Sequence, residues 1–186
     1  MSASPPHPVM PLVALRKSVV LVGLMGAGKS TIGRRLAQVL DTPFVDSDNE
    51  IVEAAGCSVS DIFDIHGEDI FRDLEQRIVL KLLDREPSVI ATGGGSFINP
   101  TIRKAIKEKA SSVWLKAELE VLVERVSRRN TRPLLEQGDK REILSKLMAD
   151  RYPVYGEADI TIDSSNDAHE VVVKRILEAL KAHEAA

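Results

Sequence analysis

The hydrophobic positions of this chain follow two patterns that alternate along most of its length. Five short stretches are apolar at nearly every position, which is typical of strands buried in a parallel sheet. They cover residues 18–22, 43–46, 88–92, 112–115 and 159–162. Between them, apolar residues recur three or four positions apart, as in amphipathic helices. The clearest helical sets are Ile32, Leu36 and Val39 or Leu40; Ile70, Leu74, Ile78 and Leu82; Leu119, Leu122 and Val126; and Ile143, Leu144 and Leu147. This alternation predicts an α/β fold in which helices cover both faces of a parallel sheet and ligands bind at the carboxyl ends of the strands.

Composition and charge restrict the class of protein. The 186 residues are 44% hydrophobic and 28% charged, which is ordinary for a globular protein and sufficient for one domain with a buried core. The formal net charge of −3 gives no electrostatic basis for binding nucleic acid or an anionic membrane. Every apolar stretch is shorter than the roughly 20 residues that span a bilayer. A small molecule is therefore the expected partner, and a monomer is the expected state.

The N-terminal segment and the cysteine content bear on where the protein works. Residues 1–15 contain three prolines before Met10 and neither Lys nor Arg, which does not resemble a secretory or organellar leader. We interpret these residues as a disordered tail, followed by a single domain at 16–186. Cys57 is the sole cysteine, so no disulfide can form within the chain and a reducing compartment is suitable. A cytoplasmic location is expected.

A phosphate-binding loop is the strongest chemical signal in the chain. Residues 23–30 have the sequence GLMGAGKS, which fits G-x-x-x-x-G-K-[ST], and they follow the strand predicted at 18–22. Glycines let backbone N–H groups converge on the phosphates of a nucleotide, the lysine neutralises their charge, and the serine hydroxyl can bind Mg²⁺. A glycine-rich turn that matches by chance is the alternative, but a helical pattern begins directly after the loop. The sequence therefore predicts ATP or GTP binding through Gly26, Ala27, Gly28, Lys29, Ser30 and Thr31.

Two carboxylates follow the second predicted strand. Asp46 and Asp48 are separated by Ser47, and because side chains alternate along extended backbone, one carboxylate can face a metal ion while the other faces a substrate hydroxyl. A helix cap at Asp48 would be the ordinary explanation of such a pair. Beside a nucleotide loop, however, Asp48 becomes a candidate base for the attacking oxygen.

A run of glycines and three arginines complete the set of candidates. Residues 93–95 are three glycines after the third predicted strand, where either the backbone approaches a ligand closely or a flexible loop precedes the next helix. Arg72 and Arg151 lie in helical patterns, where most arginines are solvated surface charges. Arg132 lies in a polar stretch between two helical patterns, a setting typical of a mobile lid over phosphates. Guanidinium groups bind carboxylates and phosphates through paired hydrogen bonds, so these arginines suit a site for two anions.

Taken together, these motifs resemble those of the shikimate kinase family. The shared features occur in the order and approximate spacing of that family over residues 17–162: the phosphate-binding loop, Asp46-Ser47-Asp48, Phe71-Arg72 with Glu75, the glycines at 93–95, Arg132-Pro133-Leu134-Leu135 and Arg151. The resemblance implies a P-loop NTPase fold of the nucleoside monophosphate kinase type, with strand order 2-3-1-4-5 and a lid around 128–138. It also implies a Mg²⁺-ATP cofactor and phosphorylation of the 3-hydroxyl of shikimate in aromatic amino-acid biosynthesis.

The resemblance further implies a role for each candidate residue. Lys29 would bind the β- and γ-phosphates, Ser30 would bind Mg²⁺, and Asp46 would support the metal through water. Asp48 would hold the shikimate hydroxyls and accept the proton of the attacking one. Arg72, oriented by Glu75, and Arg151 would bind the substrate carboxylate. The backbone of Gly93, Gly94 and Gly95 would closely approach the ring hydroxyls. Arg132 would stabilise the transferring phosphoryl group.

Two other functions stay open at this point. A gluconate or nucleoside monophosphate kinase would share the loop and the fold class, although two separated arginines after Asp-x-Asp favour a carboxylated polyol. A nucleotide-binding switch would need only the loop, whereas Asp48 and Arg132 favour catalysis. The identity of the second lid arginine, Arg128 or Arg129, also stays open, as do the residues that contact adenine, expected near 163–166.

Overall fold

The computed structural model describes residues 15–128 and 138–186. These residues form a five-stranded sheet and seven α-helices. The strands are β1 (Ser18–Val22), β2 (Phe44–Asp46), β3 (Val89–Ala91), β4 (Ala110–Lys116) and β5 (Ile160–Asp163). The helices are α1 (Lys29–Leu40), α2 (Ser47–Ala55), α3 (Val59–Leu83), α4 (Pro100–Lys109), α5 (Leu119–Ser127), α6 (Lys140–Tyr155) and α7 (His169–Glu184), and a short 3₁₀ helix (Ser96–Ile98) precedes α4. Within the described part of the chain, no helix is long and apolar enough to span a membrane.

The sheet has the predicted topology. All neighbouring strands are parallel, in the order β2-β3-β1-β4-β5. In register, Val20 of the central strand β1 lies between Ile90 of β3 and Ser112 of β4. Every residue of β1 is buried, which requires cover on both faces because successive side chains point to opposite sides of the sheet. The predicted α/β class and strand order are confirmed.

The strand order locates the site. From β1 the chain passes β3 and continues to β2, toward one edge of the sheet. From β3 it passes β1 and continues to β4, toward the opposite edge. The connections therefore leave β1 and β3 in opposite directions, and a crevice forms at the carboxyl ends of these two neighbouring strands. The loop after β1 contains the phosphate-binding motif, and the loop after β3 contains the three glycines.

Helix α3 differs from the predicted pattern in two ways. It begins at Val59 and is interrupted at Gly67, whose φ of 83° and ψ of 170° are accessible to glycine and costly for other residues. Spacing predicts that Ile70 lies on the apolar face, but Ile70 is 52% exposed, and the buried face contains Phe71 and Glu75 instead. One buried position of this helix is therefore a glutamate, Glu75, which the spacing of apolar residues does not identify as buried.

A small second hydrophobic cluster attaches α2 to α3. Ile51, Ile62 and Phe71 are its buried members, and the ring of Phe63 lies 4.6 Å from that of Phe71. Because Phe71 is anchored in this cluster, the next residue, Arg72, leaves α3 at a fixed position beside the carboxyl ends of the strands.

Candidate active site

The loop between β1 and α1 has the conformation of a phosphate cradle. Gly23, Gly26 and Gly28 have φ values of 147°, 83° and 94°, a range that side chains disfavour. At Gly23 a side chain is also excluded sterically, because a Cβ atom would lie 2.8 Å from the carbonyl oxygen of Leu115. Helix α1 begins at Lys29, so its N-terminal N–H groups and the positive end of its dipole lie at the loop. This arrangement suits a phosphate chain.

The polar side chains of the loop fit a magnesium nucleotide. Lys29 Nζ donates hydrogen bonds to the carbonyl oxygens of Gly23, over 2.7 Å, and Leu24, over 2.9 Å, which hold the ammonium group against the loop. Ser30 Oγ donates to Asp46 Oδ2 over 2.7 Å. Hydroxyl and carboxylate oxygens are the hard ligands that Mg²⁺ prefers, and the ion commonly takes its other ligands from phosphates and water. The donor set therefore fits the predicted metal.

Asp46, rather than Asp48, caps helix α2. The helix begins at Ser47, and Asp46 Oδ1 accepts a hydrogen bond from the N–H of Asp48 over 3.0 Å. The interpretation of Asp48 as the helix cap is therefore wrong, because Asp48 lies one position inside the helix. Its carboxylate faces the loop after β3, since a Cβ atom on Gly93 would lie 2.9 Å from Asp48 Oδ1.

A cleft of about 330 Å³ joins the phosphate-binding loop to the loop after β3. Most of the predicted site residues line it, namely Gly26, Ala27, Gly28, Lys29, Ser30, Thr31, Asp46, Asp48, Gly93 and Gly94. Arg128, one of the two candidates for the second lid arginine, also lines the cleft. Arg132, Arg129 and most of the lid predicted at 128–138 lie outside the described residues, so the lid and the domain bounds stay predictions.

Two arginines from distant helices converge on residues 93–95, here called the glycine loop. A Cβ atom on Gly94 would lie 3.1 Å from Arg151 Nη1, and a Cβ atom on Gly95 would overlap the guanidinium group of Arg72. The φ of Gly95 is −87°, which any residue can adopt, so close packing explains this glycine. The glycine loop is packed between two cations, and this packing argues against a flexible connection.

A buried carboxylate orients Arg72. Glu75 is 1% exposed, and its carboxylate accepts hydrogen bonds from Arg72 Nη1 over 2.8 Å and from Ser96 Oγ over 2.6 Å. The exposed Glu68 forms a second, longer ion pair with Arg72 at 3.3 Å. Burial by itself would lower the pKa of Arg72, but the hydrogen bonds and charges of Glu75 and Glu68 raise it above its ordinary value. The guanidinium group therefore stays charged, and its contact with Glu75 is the one that the family resemblance implies.

Arg125 is not among the predicted site residues, but it lines the cleft near the phosphate-binding loop. Its guanidinium group donates to the carbonyl oxygens of Gly26 over 3.2 Å, Ser164 over 2.7 Å and Ser165 over 2.9 Å. It thereby joins the phosphate-binding loop to the chain after β5. Burial lowers the pKa of Arg125, with Glu124 acting in the opposite direction. The available signal was helical spacing, since Arg125 follows the buried Leu122 by three residues.

Ser47, between the two aspartates, is a second residue whose role was not predicted. This serine is fully buried, and its Oγ accepts a hydrogen bond from the N–H of Gly93 over 3.2 Å. The start of α2 therefore holds one end of the glycine loop. Nothing in the local sequence indicates this contact, because its two partners are 46 positions apart.

Comparisons with known proteins identify the family. The family model for shikimate kinase matches residues 25–181. A shikimate kinase of Paramagnetospirillum magneticum is 52% identical over 164 residues, which cover 88% of this chain and 84% of that protein. The chain belongs to the shikimate kinase family.

Solved structures of a shikimate kinase and of a gluconokinase differ in how closely they match this chain. A shikimate kinase from Acinetobacter baumannii in complex with shikimate has a TM-score of 0.88 and 34% identity, and the match covers 94% of this chain and 97% of that one. A gluconokinase from Sinorhizobium meliloti has a TM-score of 0.63 and 20% identity, with coverage of 91% and 94%. At that identity the gluconokinase shares the fold alone. This family member is therefore a kinase that uses ATP, and gluconate is not its indicated substrate.

Proposed function

We propose that this protein transfers the γ-phosphoryl group of ATP to the 3-hydroxyl of shikimate, giving ADP and shikimate 3-phosphate. One observation carries the proposal: two guanidinium groups, from α3 and α6, converge on the glycine loop beside a phosphate-binding cleft. Because these cations lie apart from the phosphate-binding loop, they suit a substrate that carries a carboxylate of its own. The relative from Acinetobacter baumannii, solved in complex with shikimate, supports this choice of substrate.

The nucleotide half of the site would act by positioning and charge. The backbone N–H groups of residues 26–31 and the ammonium group of Lys29 would bind the phosphates. Ser30 and Asp46 would hold Mg²⁺, which neutralises charge on the β- and γ-phosphates when it is bound. Arg132, which lies outside the described residues, would stabilise the charge that develops on the transferring group.

The substrate half would place one hydroxyl and remove its proton. Arg72 and Arg151 would bind the shikimate carboxylate, and the glycine loop would lie against the ring hydroxyls. Asp48 would accept the proton of the 3-hydroxyl of shikimate. As the proton leaves, the hydroxyl oxygen bonds to the γ-phosphorus, and the bond from that phosphorus to the oxygen bridging the β- and γ-phosphates breaks. ADP leaves with the electron pair of the broken bond. Positioning and electrostatics suffice, so no covalent enzyme intermediate is required.

The experiment is an ADP-release assay with shikimate, gluconate, AMP, CMP and a decarboxylated analogue of shikimate, each with Mg²⁺ and with a chelator. At low substrate concentration we expect ADP release with shikimate and with none of the other acceptors. The chelator should abolish this turnover. Arg151→Lys should raise the KM for shikimate by about tenfold or more, because a point charge replaces a paired guanidinium contact. The matched control is Arg141→Lys, since Arg141 lies on the same helix with a 60% exposed side chain. Equal use of shikimate and its decarboxylated analogue by the wild-type protein would refute the substrate assignment.

We further infer that the enzyme works as a monomer. One copy of the chain brings the phosphate-binding loop, Asp48 and the glycine loop to the same cleft, so the described part of the site is formed without a partner's residues. Light scattering at assay concentrations, with and without ATP and shikimate, tests the monomer.

A further inference from the structure

Tyr155 is a buried side chain that the proposed chemistry leaves without a role. It is the last residue of α6, and its exposed fraction is zero. It follows Arg151 by four positions, so the two side chains lie on the same face of the helix. A tyrosine in this place brings a polar hydroxyl next to a residue proposed to bind the substrate carboxylate.

The hydroxyl of Tyr155 contacts the middle of the glycine loop. It donates a hydrogen bond to the carbonyl oxygen of Gly94. Gly94 itself lies where three elements meet, because a Cβ atom there would lie 3.1 Å from Arg151 Nη1, 3.6 Å from the carbonyl oxygen of Gly23 and 3.7 Å from the Tyr155 hydroxyl. One peptide group thus lies beside the phosphate-binding loop, the substrate arginine and the tyrosine.

The contact fixes more than the carbonyl oxygen. The peptide between Gly94 and Gly95 is planar and trans, so the Gly95 N–H points in the opposite direction to the Gly94 carbonyl. A donor that holds the carbonyl therefore also sets the direction of this N–H. Other hydrogen bonds hold the two ends of the glycine loop. Ser47 Oγ accepts from the Gly93 N–H, and the N–H groups of Ser96 and Ile98 donate to the carbonyl oxygens of Gly93 and Gly95. Tyr155 holds the peptide between them.

The position of the hydroxyl is set by the hydrophobic core. The ring of Tyr155 lies 5.9 Å from the ring of Trp114 and 6.2 Å from that of Tyr152. Burial raises the pKa of Tyr155 to about 12, and the charge and hydrogen bond of Arg151 act in the opposite direction. The phenol therefore keeps its proton, and remains a donor, throughout the pH range in which the enzyme would be assayed.

We propose that Tyr155 is a positioning residue for shikimate, because its hydroxyl holds the Gly94 carbonyl, and with it the glycine loop and the adjacent Arg151, in the arrangement that binds the substrate. This inference rests on the proposed function. Without the hydroxyl, the Gly94 carbonyl loses this donor and the peptide is able to rotate. The consequence falls on the substrate half of the site, since residues 23–30 form their own cradle.

The experiment compares Tyr155→Phe with Tyr152→Phe. The two rings belong to the same aromatic cluster, and each hydroxyl donates to a backbone carbonyl, but the partner of Tyr152 is Ala117 at the end of β4, over 2.5 Å. Each variant therefore removes one hydrogen bond from a tyrosine hydroxyl to a backbone carbonyl, but only the bond removed in Tyr155→Phe is to the glycine loop. For each protein we would measure kcat, the KM for shikimate, the KM for ATP, the melting temperature and the affinity for shikimate by calorimetry.

We expect Tyr155→Phe to raise the KM and the Kd for shikimate by about tenfold, the effect of losing one hydrogen bond, and to leave the KM for ATP nearly unchanged. Both variants should lower the melting temperature by similar amounts, because each loses one hydrogen bond. In Tyr152→Phe, however, the KM for shikimate should change less than about twofold. If Tyr155→Phe is too unstable for the assay, the rise in melting temperature caused by saturating shikimate replaces the KM, and it should be smaller than in the wild type.

Three results would overturn the inference: an unchanged KM for shikimate in Tyr155→Phe, an equal rise in both variants, or a parallel rise in the KM for ATP. A fall in kcat alone would also overturn it, since positioning for binding predicts a change in KM. Failure of the proposed function gives a different result, because the wild-type protein itself would then not phosphorylate shikimate.

Discussion

The two glycine-rich loops of the site are held in different ways. The phosphate-binding loop is bent by its own glycines, and Lys29, five or six positions away, donates to Gly23 and Leu24. Arg125 and Ser164 add hydrogen bonds to Gly26 and Ala27 from across the fold. The glycine loop at 93–95 has local backbone hydrogen bonds from the N–H groups of Ser96 and Ile98, but its side-chain partners are distant. Ser47 accepts from the Gly93 N–H across 46 positions, and Tyr155 donates to the Gly94 carbonyl across 61 positions.

This difference follows from the ligands. Phosphates bind to backbone N–H groups at the start of a helix, and a short segment supplies these together with a lysine. A ring with several hydroxyls and a carboxylate needs donors and acceptors on several sides, which a single segment cannot provide. The nucleotide half should therefore tolerate changes in the substrate half, and the reverse should also hold.

The largest effect is expected from Lys29→Ala, which removes the ammonium group from the centre of the nucleotide half. We expect turnover to fall by about three orders of magnitude or more, since a charge that stabilises the transferring group is lost. Shikimate binding without nucleotide should be unchanged in calorimetry. Lys104→Ala is the control, because that side chain is 79% exposed. Loss of shikimate binding in Lys29→Ala would break the separation of the two halves.

Asp48→Asn tests the residue that lies between the halves. We expect the single-turnover rate to fall by about two orders of magnitude, the typical contribution of a general base. The fold and the affinity for ATP should be retained, because Asp46 supplies the cap of α2. Asp64→Asn, at an exposed position of α3, serves as the matched change. An unaltered single-turnover rate would mean that a different group takes the proton.

The smallest effect is expected from two changes around Arg72. Glu75→Gln removes the charge of a buried partner at 2.8 Å, and we expect the KM for shikimate to rise by about tenfold with a lower melting temperature. Glu68→Gln removes the partner at 3.3 Å, whose side chain is 65% exposed, so the KM should change by less than about twofold. Steady-state kinetics and thermal melts of both variants give the comparison. Equal effects would show that burial of the carboxylate is not what orients Arg72.

Local pattern was sufficient for the five strands, for helices α1, α3, α5 and α6, and for the phosphate-binding loop. Helix α1 illustrates both its success and its limit: Ile32 and Leu36 are buried as predicted. Spacing left Val39 and Leu40 as alternatives, and the structure leaves Val39 55% exposed while Leu40 packs on the core. A helical period of 3.6 residues does not distinguish two adjacent positions at the edge of the apolar face. The neighbour across the interface decides which one is covered.

The sequence by itself determined the parallel α/β class, the phosphate-binding loop and, through its resemblance to a family, the strand order and the candidate residues. These depend on hydrophobic period and on short motifs, whose physics lies within a few residues of chain. Only the tertiary structure decided that Asp46 caps α2, that Glu75 is buried, and that Arg125 and Tyr155 join the site. Each of these depends on which groups face one another across the fold, and for a carboxylate, a guanidinium or a phenol the partner, not the residue type, determines whether it is buried.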